Sequence, residues 1–262
     1  MEPEPLAGGN ANASVMRIGD RVHRAAGPHS ATVQRLIAHA REQGVCWVPA
    51  AHGFDAEGRE VLDFVPGEVG HGDHPVTWTD ETLATVASAL RQWHDAAANF
   101  ESQPDDTWWR DPIGPAETIS HGDFAPYNHV FLDGRFAGVI DFDTCVPAPR
   151  LWDLAYAAYR YVPLTPGRAD AVDDGAGADR SPFGRGEQAA RLETLLAAYG
   201  AVAPDAEPYA ASAVLPWVVL RLDDLADWTA AQTFAEAPRH AAMYRAHARW
   251  IEAGMPATSL ES

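Results

Sequence analysis

Polar residues that could handle a metal-bound nucleotide stand at fixed spacing in the stretch ISHGDFAPYNHVFLDGRFAGVIDFDT, residues 119 to 144. His121, Asp123 and Asn128 form H-G-D-x-x-x-x-N, and Asp141 follows the apolar run Phe136 to Ile140. Phosphoryl transfer needs a carboxylate that orients an attacking hydroxyl and takes its proton. It also needs oxygen ligands that hold Mg²⁺ against phosphate. Asp123 suits the first role, while Asn128 offers a neutral oxygen ligand and Asp141 an anionic one. The chain between the two ligands reads as strands Asn128 to Leu132 and Phe136 to Ile140 around the turn Asp133-Gly134. A hairpin returns its two ends to one edge, so both residues can serve one ion. Strand alternation leaves open whether Asp141 or Asp143 points at that ion. His121 reads as a scaffold that hydrogen-bonds the loop.

The elements ahead of this stretch read as a small antiparallel sheet with one helix. Leu6 to Asn12, with Gly8 and Gly9, is a turn whose backbone could approach phosphates, since glycine carries no side chain to hold an anion away. Strands are expected over Ser14 to Ile18 and Arg21 to Arg24, around Gly19-Asp20. Ser30 reads as the cap of a helix over Ala31 to Gln43, whose apolar positions Val33, Leu36, Ile37 and Ala40 have helical spacing. Strands Ala51 to Phe54 and Arg59 to Phe64 follow, and Pro66-Gly67 closes this lobe as a hinge.

Beyond the hinge the pattern turns helical. Thr79-Asp80 should cap a helix over Glu81 to Phe100, and residues 101–116 form a loop. Further helices are expected over Leu151 to Tyr161, Gln188 to Tyr199, Tyr209 to Ala231 and about Pro238 to Ala253. Residues 163–187, rich in Pro, Gly, Asp and Ala, read as a mobile insertion. The domain reading is 1–66 for a nucleotide-binding lobe and 67–262 for a catalytic and substrate-binding lobe.

HGDFAPYN and VIDFDTCVPAPRLWDLAYA resemble the loop and metal block of the aminoglycoside phosphotransferase family, relatives of choline kinases. The resemblance extends more loosely from LAGGNAN through VLDFVPG. It implies an α+β, two-lobed protein-kinase-like fold with a small antiparallel-sheet N-lobe and a larger, mainly helical C-lobe. It further implies ATP and Mg²⁺ as cofactors, Asp123 as catalytic base, Asn128 and Asp141 as metal ligands, and Asp153 as a supporting residue. Backbone groups around Asp63, Phe64 and Val65 would take the adenine.

The family places a lysine on the third strand, paired to a helix glutamate. All nineteen basic residues here are arginine. Arg24 is the first substitute and Arg21 the second. The helix offers only Glu42, at its last turn. Arginine can grip phosphate in a bidentate way but does not reproduce lysine geometry.

Composition bounds the partners. A chain of 262 residues with 47% hydrophobic residues can bury a core, and its net charge of −18 opposes nucleic-acid backbones and anionic membranes while favouring a cationic small molecule. No apolar run of about 18 residues suggests a membrane span, and the acidic start is unlike a secretory signal, so a cytoplasmic location is expected. Cys46 and Cys145 match no metal or redox spacing and read as buried small hydrophobes. His71, Asp73 and His74 read as a solvated loop, and His94-Asp95 as a buried polar pair. Asp223, Asp224 and Asp227, with Trp217 and Trp228 near them, read as a solvated acidic face or, alternatively, as carboxylates and aromatic walls for a cationic acceptor. Two functions follow: a kinase acting on an aminoglycoside-like antibiotic or amino alcohol, or a kinase-fold immunity protein that sequesters a ligand without phosphoryl transfer.

Overall fold

The computed structural model describes residues 3–6, 15–70, 74–166, 181–202 and 209–254. Among these, the chain clusters into two compact units, one of residues 1–74 and 92–150, the other of 75–91 and 151–262.

The first unit carries the sheets. Strands β1 (Glu4–Pro5), β2 (Met16–Ile18), β3 (Arg21–Arg24), β4 (Ala51–Phe54) and β5 (Glu60–Asp63) form one antiparallel sheet in the order β1-β2-β3-β5-β4. Helix α1 (Ser30–Glu42) contributes Val33, Leu36, Ile37 and Ala40 to the buried core, to which β5 adds Val61 and Leu62. The four helix positions recur at the spacing of a helical stripe, which is why one face is apolar. Ser30 is the first helical residue rather than the cap. Its Oγ accepts the Gly27 N–H at 2.9 Å and so fixes the turn entering the helix. Strand β6 (Glu68–Val69), just past the hinge, joins the hairpin of β8 (His129–Leu132) and β9 (Arg135–Val139) in a second sheet of order β6-β8-β9. Asp133 and Gly134 both have positive φ at the hairpin turn, as an Asp-Gly turn requires. Two three-residue strands that periodicity could not reveal, β7 (Thr118–Ser120) and β10 (Val146–Ala148), pair antiparallel on either side of the hairpin in sequence.

Helix α2 (Asp80–Ala97) begins in the second unit and ends in the first. Thr79 Oγ1 accepts the Thr82 N–H at 3.1 Å, the expected cap. The remaining helices, α3 (Arg150–Tyr161), α4 (Arg185–Ala201), α5 (Ala211–Ala230) and α6 (Ala237–Gly254), make up most of the second unit. There Arg191 of α4 donates to the carbonyls of Trp78 at 2.9 Å and Tyr161 at 3.0 Å, tying α4 to the start of α2 and the end of α3. No helix among the described residues is long and apolar enough to cross a membrane.

Both cysteines are free thiols, but only Cys145 is buried. Cys46 is exposed, because it lies in the turn after α1 and not on the apolar face.

Candidate functional site

The loop after β7 is held from below by buried aromatics. Trp93 of α2 donates its indole N–H to the Ile119 carbonyl at 3.0 Å, and its ring packs against Phe142 at 5.0 Å. Phe142 in turn lies 4.6 Å from the ring of His121, which is fully buried. His121 Nε2 donates to the Ile140 carbonyl at 3.2 Å, and its Nδ1 accepts the Asp123 N–H at 3.2 Å. One imidazole thus ties the H-G-D loop to the end of the hairpin. Gly122 between them has φ +81°, and a Cβ there would stand 2.2 Å from the Thr144 carbonyl oxygen. The glycine of H-G-D is needed because two loops touch at that point.

Asp123 has both carboxylate oxygens engaged. Tyr127 donates its hydroxyl to Oδ1 at 2.5 Å, and Asn128 donates Nδ2 to Oδ2 at 2.8 Å and to the Asp123 carbonyl at 2.9 Å. With its NH₂ group turned to Asp123, Asn128 keeps its carbonyl oxygen for a ligand role. The Ile140 N–H donates to the Asn128 backbone carbonyl at 2.8 Å, so residue 141 begins beside residue 128. Asp141 adopts a left-handed conformation, φ 65°, that swings the chain into a 3-10 turn over Phe142–Thr144. Its side chain is 48% exposed and that of Asp143 30% exposed. The turn therefore presents both carboxylates, and the choice left by strand alternation does not arise, because the strand has ended.

Arg24 at the end of β3 meets both. Its guanidinium donates to Asp141 Oδ1 at 3.0 Å and to Asp143 Oδ1, while Nε donates to Glu60 Oε2 at 2.7 Å. Burial alone would lower the pKa of Arg24, but Asp143, Glu60 and Asp141 raise it instead. Burial pushes the Asp143 carboxyl up against the pull of Arg24. Arg21 is directed elsewhere, to Asp63, whose second oxygen accepts the Ala50 N–H at 3.1 Å. Burial tends to raise the Asp63 carboxyl, and the hydrogen bonds from His52 and Ala50, with Arg21 beside it, lower it overall.

Three oxygen donors, Asn128, Asp141 and Asp143, suit a hard cation such as Mg²⁺, which keeps several positions for water and phosphate. Among the described residues no group of three His, Cys, Asp or Glu side chains is arranged as a metal site.

Other expected residues are placed as follows. Gly8 and Gly9 lie outside the described residues, as do His71 and Asp73, while His74 Nε2 is 3.5 Å from Glu68. The N–H groups of Asp63 and Phe64 are bonded to the carbonyls of Ala50 and Asp20, at 2.9 Å each. Asp95 pairs with Arg150 at 2.7 Å, and His94 is buried. In the second unit Asp153 is fully buried on α3. On α5, Asp224 pairs with Arg221 at 3.2 Å, Asp227 pairs with Arg245 at 2.8 Å, and Asp223 is exposed. The Arg221 guanidinium lies 4.4 Å from the ring centre of Trp152 and 4.9 Å from that of Tyr156. Tyr127 and Glu60 were not singled out by the sequence. The spacing of Tyr127 four residues after Asp123 was a usable signal, but the pairing of Glu60 depends on strand register.

The antiparallel sheet with its helix, the loop and the acidic turn define the protein-kinase-like fold. Residues 108–192, which hold the loop, the hairpin and α3, match the phosphotransferase enzyme family. The trifolitoxin immunity protein of Rhizobium leguminosarum bv. trifolii is 34% identical over 166 residues, covering 61% of this chain and 62% of that protein. The match thus spans less than two thirds of either. A choline/ethanolamine kinase family protein from Mesorhizobium loti superposes with a TM-score of 0.60 at 16% identity, covering 98% of this chain and 89% of that one. A choline kinase from Streptococcus pneumoniae gives 0.60 at 15%, covering 97% and 94%. A putative aminoglycoside phosphotransferase from Ralstonia eutropha gives 0.59 at 13%, covering 97% and 93%.

Proposed function

We propose that this protein transfers the γ-phosphoryl group of ATP to a hydroxyl of a small molecule, an aminoglycoside-like antibiotic or an amino alcohol. The observation that supports the reading is that Asp123 is held at both oxygens by Tyr127 and Asn128, while the Ile140–Asn128 bond brings the start of the Asp141–Asp143 turn beside Asn128. Asp123 orients the acceptor hydroxyl and takes its proton as the oxygen attacks the γ-phosphorus. The bond to the β-phosphate oxygen breaks, and ADP leaves with the electron pair. Asn128, Asp141 and Asp143 would hold Mg²⁺, which when bound offsets charge on the phosphate oxygens. Arg24 supplies the positive charge that a lysine commonly brings, and backbone groups around Asp63, Phe64 and Val65 take the adenine edge. His121 positions the loop, and Asp153 supports α3. In this reading residues 1–66 bind the nucleotide and 67–262 carry catalysis and the acceptor. The net charge of −18 favours a cationic acceptor.

A second reading is favoured by one observation, the likeness to a protein named for immunity to a toxin. The chain then protects by sequestering a ligand, without phosphoryl transfer. Purified protein incubated with Mg-ATP and a panel of aminoglycosides and amino alcohols separates the two. The first reading expects phosphorylated product that Asp123→Ala abolishes. Acceptor binding with no product, and no nucleotide-dependent thermal stabilisation, overturns it in favour of sequestration.

A further inference from the structure

Arg24 and Glu60 stand directly opposite one another in the antiparallel pairing of β3 and β5. Glu60 is 1% exposed and Arg24 7%, so both charges are removed from water. A buried pair of this kind gives little net stability, because desolvating two ions offsets most of their attraction. What it gives is fixed geometry. Glu60 is held on its other oxygen by Gln34 of α1, whose Nε2 lies 3.4 Å from Oε1 and 3.0 Å from the Gly53 carbonyl, while its Oε1 accepts the Gly53 N–H at 2.9 Å. Arg24 is thereby anchored through Nε. Its two terminal nitrogens face the other way, onto Asp141 and Asp143, which are the exposed end of the network.

We infer that Glu60 is a positioning residue that holds Arg24 by Nε, so that the free fork of the guanidinium exchanges Asp141 and Asp143 for nucleotide phosphate when metal and nucleotide bind together. The inference rests on the phosphotransferase reading. It assigns the partner of the cation to a neighbouring strand, where the sequence offered only Glu42 at the end of α1. In the nucleotide-free protein the fork and a divalent ion compete for the same two carboxylates, so a metal alone binds poorly. Once phosphate oxygens receive the fork, the carboxylates are released to the ion. Metal and nucleotide thus raise each other's affinity, and by linkage each does so by the same factor.

The test titrates Mn²⁺, followed by the paramagnetic signal of the free ion, with and without the non-hydrolysable nucleotide AMP-PNP. In the wild-type protein AMP-PNP should tighten Mn²⁺ binding. Arg24→Ala should move the two titrations in opposite directions, tightening Mn²⁺ alone by about tenfold and weakening Mn²⁺ with AMP-PNP by about tenfold. A purely structural role for Arg24 would weaken both. Glu60→Gln should weaken AMP-PNP binding by about fivefold. Arg24→Lys, which cannot hold Glu60 and reach two carboxylates at once, gives a second route if Glu60→Gln does not fold, and should fall between wild type and Arg24→Ala in both titrations. Intact AMP-PNP binding in the wild type, with Mn²⁺ alone unchanged or weaker in Arg24→Ala, overturns the inference and leaves the phosphotransferase reading standing. If the wild-type protein does not bind AMP-PNP at all, that reading falls and the inference with it.

Discussion

Tyr127 donates its hydroxyl to Oδ1 of Asp123 at 2.5 Å, on the side of the carboxylate away from Asn128. The proposed base is therefore clamped at both oxygens, and its plane is set before any acceptor arrives. Clamping limits the orientations of the carboxylate to those that face an incoming hydroxyl. Tyr127→Phe removes one clamp while keeping the ring. Steady-state kinetics should show kcat reduced about threefold to tenfold with KM for ATP unchanged. A change in KM for ATP alone would place Tyr127 on the nucleotide rather than on the base.

Asp141 and Asp143 flank Phe142 in one 3-10 turn, and both reach Arg24, yet Asp141 is the more exposed. Asp141→Ala should reduce Mg²⁺-dependent ATP binding by at least tenfold in calorimetric titration. Asp143→Ala should cost less, since Asp143 sits deeper against Arg24 and its carboxyl is pushed up by burial. Equal losses would mean that the two ligands contribute alike despite their different exposure.

Gly122 and Gly134 both have positive φ, but only Gly122 lies against another backbone. A Cβ on Gly134 meets nothing within 4 Å. Gly134→Ala should cost about 1 kcal/mol for the left-handed conformation alone. Gly122→Ala adds a backbone collision with Thr144 and should cost about 2–4 kcal/mol, lowering Tm by about 5–15 °C. Thermal melts of the two variants side by side would distinguish conformational strain from close approach.

Tyr161 is fully buried at the end of α3. Burial pushes its hydroxyl well above the usual tyrosine range, against a smaller opposing effect of Arg160. In the unfolded chain the phenol loses its proton near pH 10 while the folded one keeps it. Above that pH the unfolded state binds fewer protons, so stability falls as pH rises from about 10, by up to about 1.4 kcal/mol per pH unit. Chemical denaturation between pH 9 and 11 should show this fall, and Tyr161→Phe should flatten it.

The motif H-G-D-x-x-x-x-N, the Asp133-Gly134 turn and the aspartate after β9 lie within one short stretch, and turn chemistry and strand alternation act over just such distances. Sequence alone therefore determined the hairpin, the helices α1 to α6 to within a few residues, and the candidate residues at the hairpin ends. It could not reveal β7 and β10, because three residues carry no readable period. Nor could it choose the partner of Arg24. Glu60 lies 36 residues further along the chain and meets Arg24 only because β5, not β4, pairs with β3. The same limit applies to the acidic residues of α5, where Arg221 and Arg245 come from one turn and from another helix respectively. Local residue types fix the backbone, while the pairing of charges depends on sheet register and helix packing, which sum contacts over the whole chain. Only the tertiary structure showed that the cation of the site is held by a strand, and that the fork it presents rests on Asp141 and Asp143.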